Sequence, residues 1–192
     1  MAVNGRDAIL ASAMGLFTER GYFGTTMRDI AKGADMTVAS IYHHFTSKQA
    51  ILQDMMVSIL KETISLTRNA VLQADTGSTD RLCALVTAWV VFHATRRPEG
   101  IIGASELRSL DREGHRLVVA LRDEQEMLFR DIVARGVDTG EFDTPHPQDA
   151  ARALITMGFT ISMWYRNSGP ASPDEMAARY CDLALDLVRA KR

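Results

Sequence analysis

The sequence predicts an all-α protein of about nine helices, and three observations carry that prediction. Apolar residues recur at three- and four-residue spacing along almost the whole chain, and no stretch shows the two-residue alternation of a strand. Glycine, proline and capping side chains punctuate the periodic segments. The chain has 192 residues and no internal repeat or low-complexity tract, which allows one or two small domains with a sizeable core.

Residues 1–5 read as a loose arm. A first helix covers Arg6–Arg20, with Ile9, Ala13, Leu16 and Phe17 on one stripe, and Gly21 ends it as a left-handed cap. Tyr22 and Phe23 are expected to tuck into a small core. Thr26 followed by Asp29 is a capping start for a second helix carrying Ile30, Ala31 and Ala34. That helix must stop by Asp35, which tolerates a left-handed turn, because Thr37 offers the next N-cap. Val38–His43 forms a third short helix with Ile41 and Phe45 turned inward, and Ser47 caps a fourth beginning at Lys48.

The fourth helix runs to about Ala74 without proline or glycine, its stripe formed by Ile51, Leu52, Met55, Ile59, Leu60, Ile64, Ala70 and Val71. Asp75–Thr79 is a turn around Gly77, with Ser78 expected to cap Asp80–Arg96. Arg97-Pro98-Glu99-Gly100 breaks that helix. Ile101–Leu110 is a short helical piece, and Arg112–Asp138 a long one carrying Leu117, Val118, Leu121, Leu128 and Ile132. After a loop over Thr139–Pro147, Pro147 opens Gln148–Asn167, where apolar side chains occupy almost every face. Ser172-Pro173-Asp174-Glu175 is a capping box for the last helix, which runs to about Ala190 with Met176, Tyr180, Leu183, Ala184, Leu187 and Val188.

Two very short helices joined by a tight turn and braced by a third form a unit that can lay its second helix in a DNA major groove. The outward residues of that helix, Thr37, Val38, Ser40, Tyr42 and His43, are small or hydrogen-bonding, which suits base edges and phosphates. The stretch Thr25–Leu52 resembles the DNA-binding domain of the TetR family of bacterial transcriptional repressors. Thr26, Ile30, Ala31, Ala34, Ser40, Ile41, Tyr42, His44, Phe45, Lys48 and Leu52 stand at that family's spacing, while Asp35 and Ala39 stand where the family usually has glycine. The resemblance implies a head over residues 1–47 and a ligand-binding and dimerisation body over 48–192. It implies that Tyr42 and Lys48 bind phosphates, that Thr37, Val38, Ala39, Ser40 and His43 read bases, and that Thr26 and Arg28 join the DNA surface. It also implies a C2 dimer on a palindromic operator, built on the last two helices, with Ala153, Ile161, Tyr180 and Leu187 at the dimer face.

Composition alone does not point to nucleic acid, because the formal charge is −2. Residues 1–50 carry +1 and the remainder −3, a small asymmetry of the sign expected for a DNA-contacting head. Cys83 and Cys181 have no metal-type spacing, and a reducing cytosol argues against a disulfide between them. The charged residues Arg6 and Asp7 interrupt any signal peptide, and no apolar run approaches membrane-spanning length, so a cytoplasmic protein is expected.

The body is rich in methionine and aromatic residues, which suits an apolar pocket with a few orienting polar groups. Candidate ligand residues are Trp89, His93, Arg108, Gln125, Met127, Met157 and Trp164. The stretches Ser105–Asp111, Leu121–Asp123 and Met163–Arg166 resemble TetR-family regulators of fatty-acid and steroid catabolism. That resemblance implies an acyl-CoA effector whose phosphates meet Arg108, Arg122 or Arg166.

An enzyme finds little support. His43 and His44 are adjacent and cannot share a helix face, and Asp111 and His115 lack a third ligand or nucleophile. There is no phosphate-binding glycine loop and no G-x-S-x-G, and no metal or cofactor is called for. The remaining alternative is a DNA-binding regulator controlled by protein partners, which a void-free core would favour and a lined cavity would disfavour.

Overall fold

In the computed structural model, residues 5–191 are described, so most of the arm expected over residues 1–5 lies outside them. The chain is all-α, with α1 Gly5–Arg20, α2 Met27–Gly33, α3 Val38–His44 and α4 Lys48–Gln73 followed by α5 Ser78–Thr95 and α6 Arg97–Ser105. A 3-10 turn, Glu106–Ser109, leads to α7 Arg112–Asp138, α8 Pro147–Phe159, α9 Ile161–Trp164 and α10 Pro173–Leu187. The only β contact among the described residues is an isolated antiparallel bridge between Phe142 and Ala190.

The small helices of the head begin and end where their own side chains direct. Thr26 accepts from the Asp29 amide while the Asp29 carboxylate accepts from Thr26, a complete capping box that also holds the Asp29 carboxyl below its usual pKa. Thr37 caps α3 through the Ser40 amide, and Ser47 caps α4 through the Ala50 amide. Gly21 and Asp35 take the left-handed conformation, with φ of 74° and 53°. Isolated helices of seven residues are not stable. These two persist because Ile30, Ala31, Ile41 and Phe45 pack into one core with Ile9, Ala13, Phe17 and Tyr22. That core continues past residue 47: Ile51, Leu52, Met55 and Met56 of α4, Ile102 of α6 and Val118 of α7 all belong to it. Phe23 departs from expectation. It is 79% exposed, because Tyr22 already fills the place beside Phe17 and leaves its neighbour outside.

In the body, α5 lies at the centre, packed against α4, α7, α8 and α10. Its buried side chains Leu82, Leu85, Val86, Trp89 and Val90 join Phe129, Ile132, Val133, Leu154 and Ala184 in a second core. Several expectations fail here. Gly77, not Ser78, is the N-cap of α5, and the capping acceptor is the distant Glu141 carboxylate, which takes the Ser78 and Thr79 amides at 3.1 Å each. Those bonds lower the Glu141 pKa to about 2. The chain breaks at Arg96, and Arg97–Gly100 forms the first turn of α6, where a proline is tolerated. The single helix expected over Gln148–Asn167 is two, interrupted at Thr160 just beyond the point where Gly158 lies against Trp89. The outer side of α8 is also not wholly apolar, since Arg152 and Thr156 are exposed there.

Leu117 points to solvent, and Gln125 and Phe129 instead continue the inner stripe of α7. The last helix ends at Leu187, and Arg189 turns the chain in the left-handed conformation. Cys83 and Cys181 are joined by a disulfide, contrary to the expectation of two thiols. Side-by-side packing of α5 and α10 brings their Cα atoms to 5.2 Å, within bridging distance.

Candidate nucleic-acid interface and body cavity

The third helix presents one face outward. Thr37, Ala39, Tyr42 and His43 are exposed, Tyr42 by 52%, while Ile41 and Phe45 anchor the opposite side. Two of the expected base readers are less available. Val38 is half-buried against the head core, and Ser40 is half-buried with its hydroxyl 2.9 Å from that of Thr37. Arg28 is exposed on α2. Thr26 is also exposed, but its hydroxyl serves the capping box.

Lys48 is the residue whose setting differs most from expectation. Its ammonium donates to the carbonyl oxygens of Tyr22 and Thr25, at 2.7 and 2.5 Å, and lies 4.1 Å from the centre of the Tyr22 ring. Two of its three donors thus brace the loop between α1 and α2, and burial lowers its pKa from the usual lysine value. A free donor remains for phosphate, but the side chain is first a strut of the head.

The junction between head and body is polar and closely bonded. Gln49 donates to the Ser109 carbonyl at 2.6 Å and accepts from the Asp111 amide at 3.1 Å, tying the first turn of α4 to the 3-10 turn. The buried Glu106 accepts from Ser109 Oγ at 2.6 Å. Arg108, expected at a ligand, is exposed on this turn and lines no cavity.

A cavity of about 150 Å³ opens between α4, α5, α7 and α8, lined by Leu60, Trp89, Arg122, Gln125, Glu126, Ile155, Thr156 and Phe159. It meets a narrower apolar recess that shares Leu60, Trp89, Arg122 and Phe159 and adds Met56, Phe92, His93, Gly100 and Gly103. Three of the seven candidate ligand residues therefore come together here: Trp89, His93 and Gln125. The Trp89 indole donates to the Ile155 carbonyl at 3.0 Å, and His93 Nδ1 lies 2.8 Å from the Trp89 carbonyl. Burial lowers the His93 pKa to about 4, so the ring is neutral at neutral pH.

The other four do not line the cavity. Met127 is 56% and Trp164 48% exposed, because both fall on the outer side of their helices, and Met157 packs at the edge of the body core. Phe159 lines both parts of the cavity without having been expected there, and Arg122, expected at an effector's phosphates, lines them too. The Arg122 guanidinium lies over the Phe159 ring, 5.4 Å from its centre, and donates to the Gly103 carbonyl.

Of the residues expected at a dimer face, Leu187 is exposed, Ala153 and Tyr180 are half-buried, and Ile161 is fully buried within the chain itself. Ile161 is therefore a core residue, because the break at Thr160 rotates α9 relative to α8. Leu183 and Met163 are exposed apolar residues of the same region that the expectation did not name. No cluster of three metal-ligating side chains occurs among the described residues, and none of their helices is long and apolar enough to cross a membrane.

Residues 9–55 match the family model for bacterial regulatory proteins of the tetR family, and residues 75–188 match that for the tetracyclin repressor-like C-terminal domain. The HTH-type transcriptional repressor KstR2 of Mycolicibacterium smegmatis is 28% identical over 182 residues, covering 94% of this chain and 88% of that protein. A bacterial regulatory protein in the tetR family from Rhodococcus RHA1 is 30% identical and superposes over the full length of both chains with a TM-score of 0.92. The regulator AibR, solved in complex with isovaleryl coenzyme A and operator DNA, is 22% identical, with a TM-score of 0.87 over 98% of this chain and 100% of that one.

Proposed function

This chain belongs to the TetR family of bacterial transcriptional regulators, and from that premise we propose that it is a homodimeric repressor released from a palindromic operator by a small apolar effector. Residues 1–47 serve as the DNA-binding head and 48–192 as the ligand-binding and dimerisation body. The observation that carries the reading is the continuity of α4. Its first turns supply Ile51 and Leu52 to the head core, and Met56 and Leu60, farther along, line the body cavity. A guest that moves this wall acts on a rigid rod that ends beside the reading helix.

On the DNA, Thr37, Ala39 and His43 face base edges, Ser40 and Val38 stand at the margin, and Tyr42, Arg28 and the free donor of Lys48 meet phosphates. Two heads in a C2 dimer address half-sites about one helical turn apart, ~34–36 Å. Exposed Leu183, Leu187 and Met163 supply apolar surface for the partner. The effector acts by binding better to the conformer whose heads are wrongly spaced. An acyl-CoA thioester is the favoured class, supported by the AibR complex and by Arg122, the basic side chain that lines the cavity. The cavity also favours a small ligand over control by protein partners alone.

The test is a binding titration of the protein against the promoter region beside its own gene, repeated with free CoA and a panel of acyl-CoA thioesters. Tight binding relieved by particular thioesters is the expected result. Binding indifferent to the whole panel would remove the thioester, and no binding at low salt to any promoter in a genome-wide selection would remove the regulator.

A further inference from the structure

One buried polar group in the cavity has no protein partner. Gln125 is 1% exposed, and its Oε1 lies 3.1 Å from the Thr67 hydroxyl, which also lies 2.9 Å from the Thr63 carbonyl. The other end of the amide, Nε2, finds no protein hydrogen-bond acceptor. An unpaired buried donor is costly, and a guest whose acceptor atom pairs it relieves that cost.

One turn earlier on the same face, Arg122 is partly buried and forms no ion pair among the described residues. Glu126, the nearby carboxylate on α7, is engaged by Arg130 and Arg152 instead. Burial lowers the Arg122 pKa with no carboxylate to offset it. Arg122 and Gln125 thus line the α7 wall of the cavity together with Glu126, while Trp89, Ile155 and Phe159 supply apolar surface around it. The volume, about 150 Å³, is the size class that accepts a benzene-sized guest.

We propose that the effector places an oxygen acceptor, a carbonyl or carboxylate oxygen, between the Arg122 guanidinium and Gln125 Nε2, with an apolar tail of no more than about six carbons in the cavity. This deepens the effector reading above and rests on it. The same arrangement makes Arg122 the sensor of occupancy. Without a guest it holds the Gly103 carbonyl of α6, and Ile102, the next residue, is fully buried in the head core. An acceptor that draws the guanidinium away releases α6 at the point where it is packed into the head.

Calorimetric titration of the full-length protein, without DNA, tests the assignment with hexanoate, hexanoyl-CoA, hexan-1-ol, free CoA and palmitoyl-CoA. Binding of hexanoate or hexanoyl-CoA, at least tenfold tighter than hexan-1-ol and palmitoyl-CoA, is expected, and the preferred member of the pair identifies the source of the acceptor. Gln125→Glu, which keeps shape and the space beside Thr67, should weaken that binding at least tenfold. Arg122→Met should do the same, and Arg122→Lys should restore part of it. Each variant is admitted only if it melts within a few degrees of the parent.

Equal binding of the alcohol, tighter binding of palmitoyl-CoA, no binding by either six-carbon acceptor, or variants within twofold of the parent would each overturn the proposal. Because the titration omits DNA, its failure is separable from failure of the regulator reading. A protein that still releases its promoter with other thioesters keeps that reading and loses this one.

Discussion

The head and the body both press glycines against neighbouring side chains, but the neighbours differ. A Cβ on Gly33 in the head would come within 2.3 Å of the Ser12 hydroxyl, the tip of a small side chain. In the body, a Cβ on Gly136 would meet the Phe142 ring at 2.0 Å, and one on Gly158 the Trp89 indole at 2.2 Å. Both rings are buried among many partners and cannot step aside. One helix start in the body differs in the same way. The starts of α2, α3 and α4 are each capped by a side chain three positions away, as are those of α7 and α10, whereas the start of α5 is closed by Glu141, 63 residues along the chain. The head is a set of locally complete pieces resting on a small core, and the body is interlocked at long range. Perturbations should therefore stay local in the head and spread in the body.

The disulfide offers the largest test of this contrast. It closes a separation of 98 residues within the body, which corresponds to about 4.7 kcal/mol of denatured-state restriction. Cys181→Ala, or reductant added to the parent, should lower the denaturant midpoint accordingly. Equal midpoints with and without reductant would show that the bridge does not hold the body together. Next come the glycines. Gly136→Ala should destabilise by about 3 kcal/mol and Gly33→Ala by no more than about 1, compared by chemical denaturation of the two variants. A reversed order would break the comparison.

Acid provides the third. Folded His93 stays neutral down to about pH 4, whereas in the unfolded chain it gains a proton near its ordinary value of 6.5. The unfolded chain therefore binds more protons between those limits, and stability should fall as pH is lowered through them, by about 3 kcal/mol in all. His93→Gln should flatten that part of a stability–pH profile, and a profile unchanged by the substitution would exclude the imidazole as its source. The smallest effect belongs to the head. Thr37→Ala should cost about 1 kcal/mol of stability by removing the cap of α3, while loosening operator binding more than it lowers the melting temperature. Loss of the two in equal measure would mean that Thr37 acts only through folding.

The same contrast explains what could be read from the residues alone. The head was legible almost residue by residue, because Thr26 with Asp29, Thr37, Ser47, Gly21 and Asp35 act within one turn of themselves. Phe23 escaped because adjacent aromatics compete for one place and spacing does not name the winner. The body's long helices were legible from periodicity, and Arg112–Asp138 was bounded to the residue. The break at Thr160 and the cap from Glu141 were not, since both depend on what packs across the fold. In the cavity, Trp89, His93 and Gln125 could be found as residues placed on buried stripes. Met127 and Trp164 were drawn in by composition, and neither side chain type reveals which way it points.

Trp89 has a consequence for how this protein can be studied. Its indole borders both parts of the cavity, is held by the Ile155 carbonyl and is shielded from solvent, whereas Trp164, the other tryptophan, is half exposed. The chain thus carries its own pair of chromophores, one emitting toward the blue from beside any guest and one toward the red from the surface. A molecule entering the cavity changes the first and leaves the second as an internal reference, so occupancy can be followed optically on the unlabelled protein.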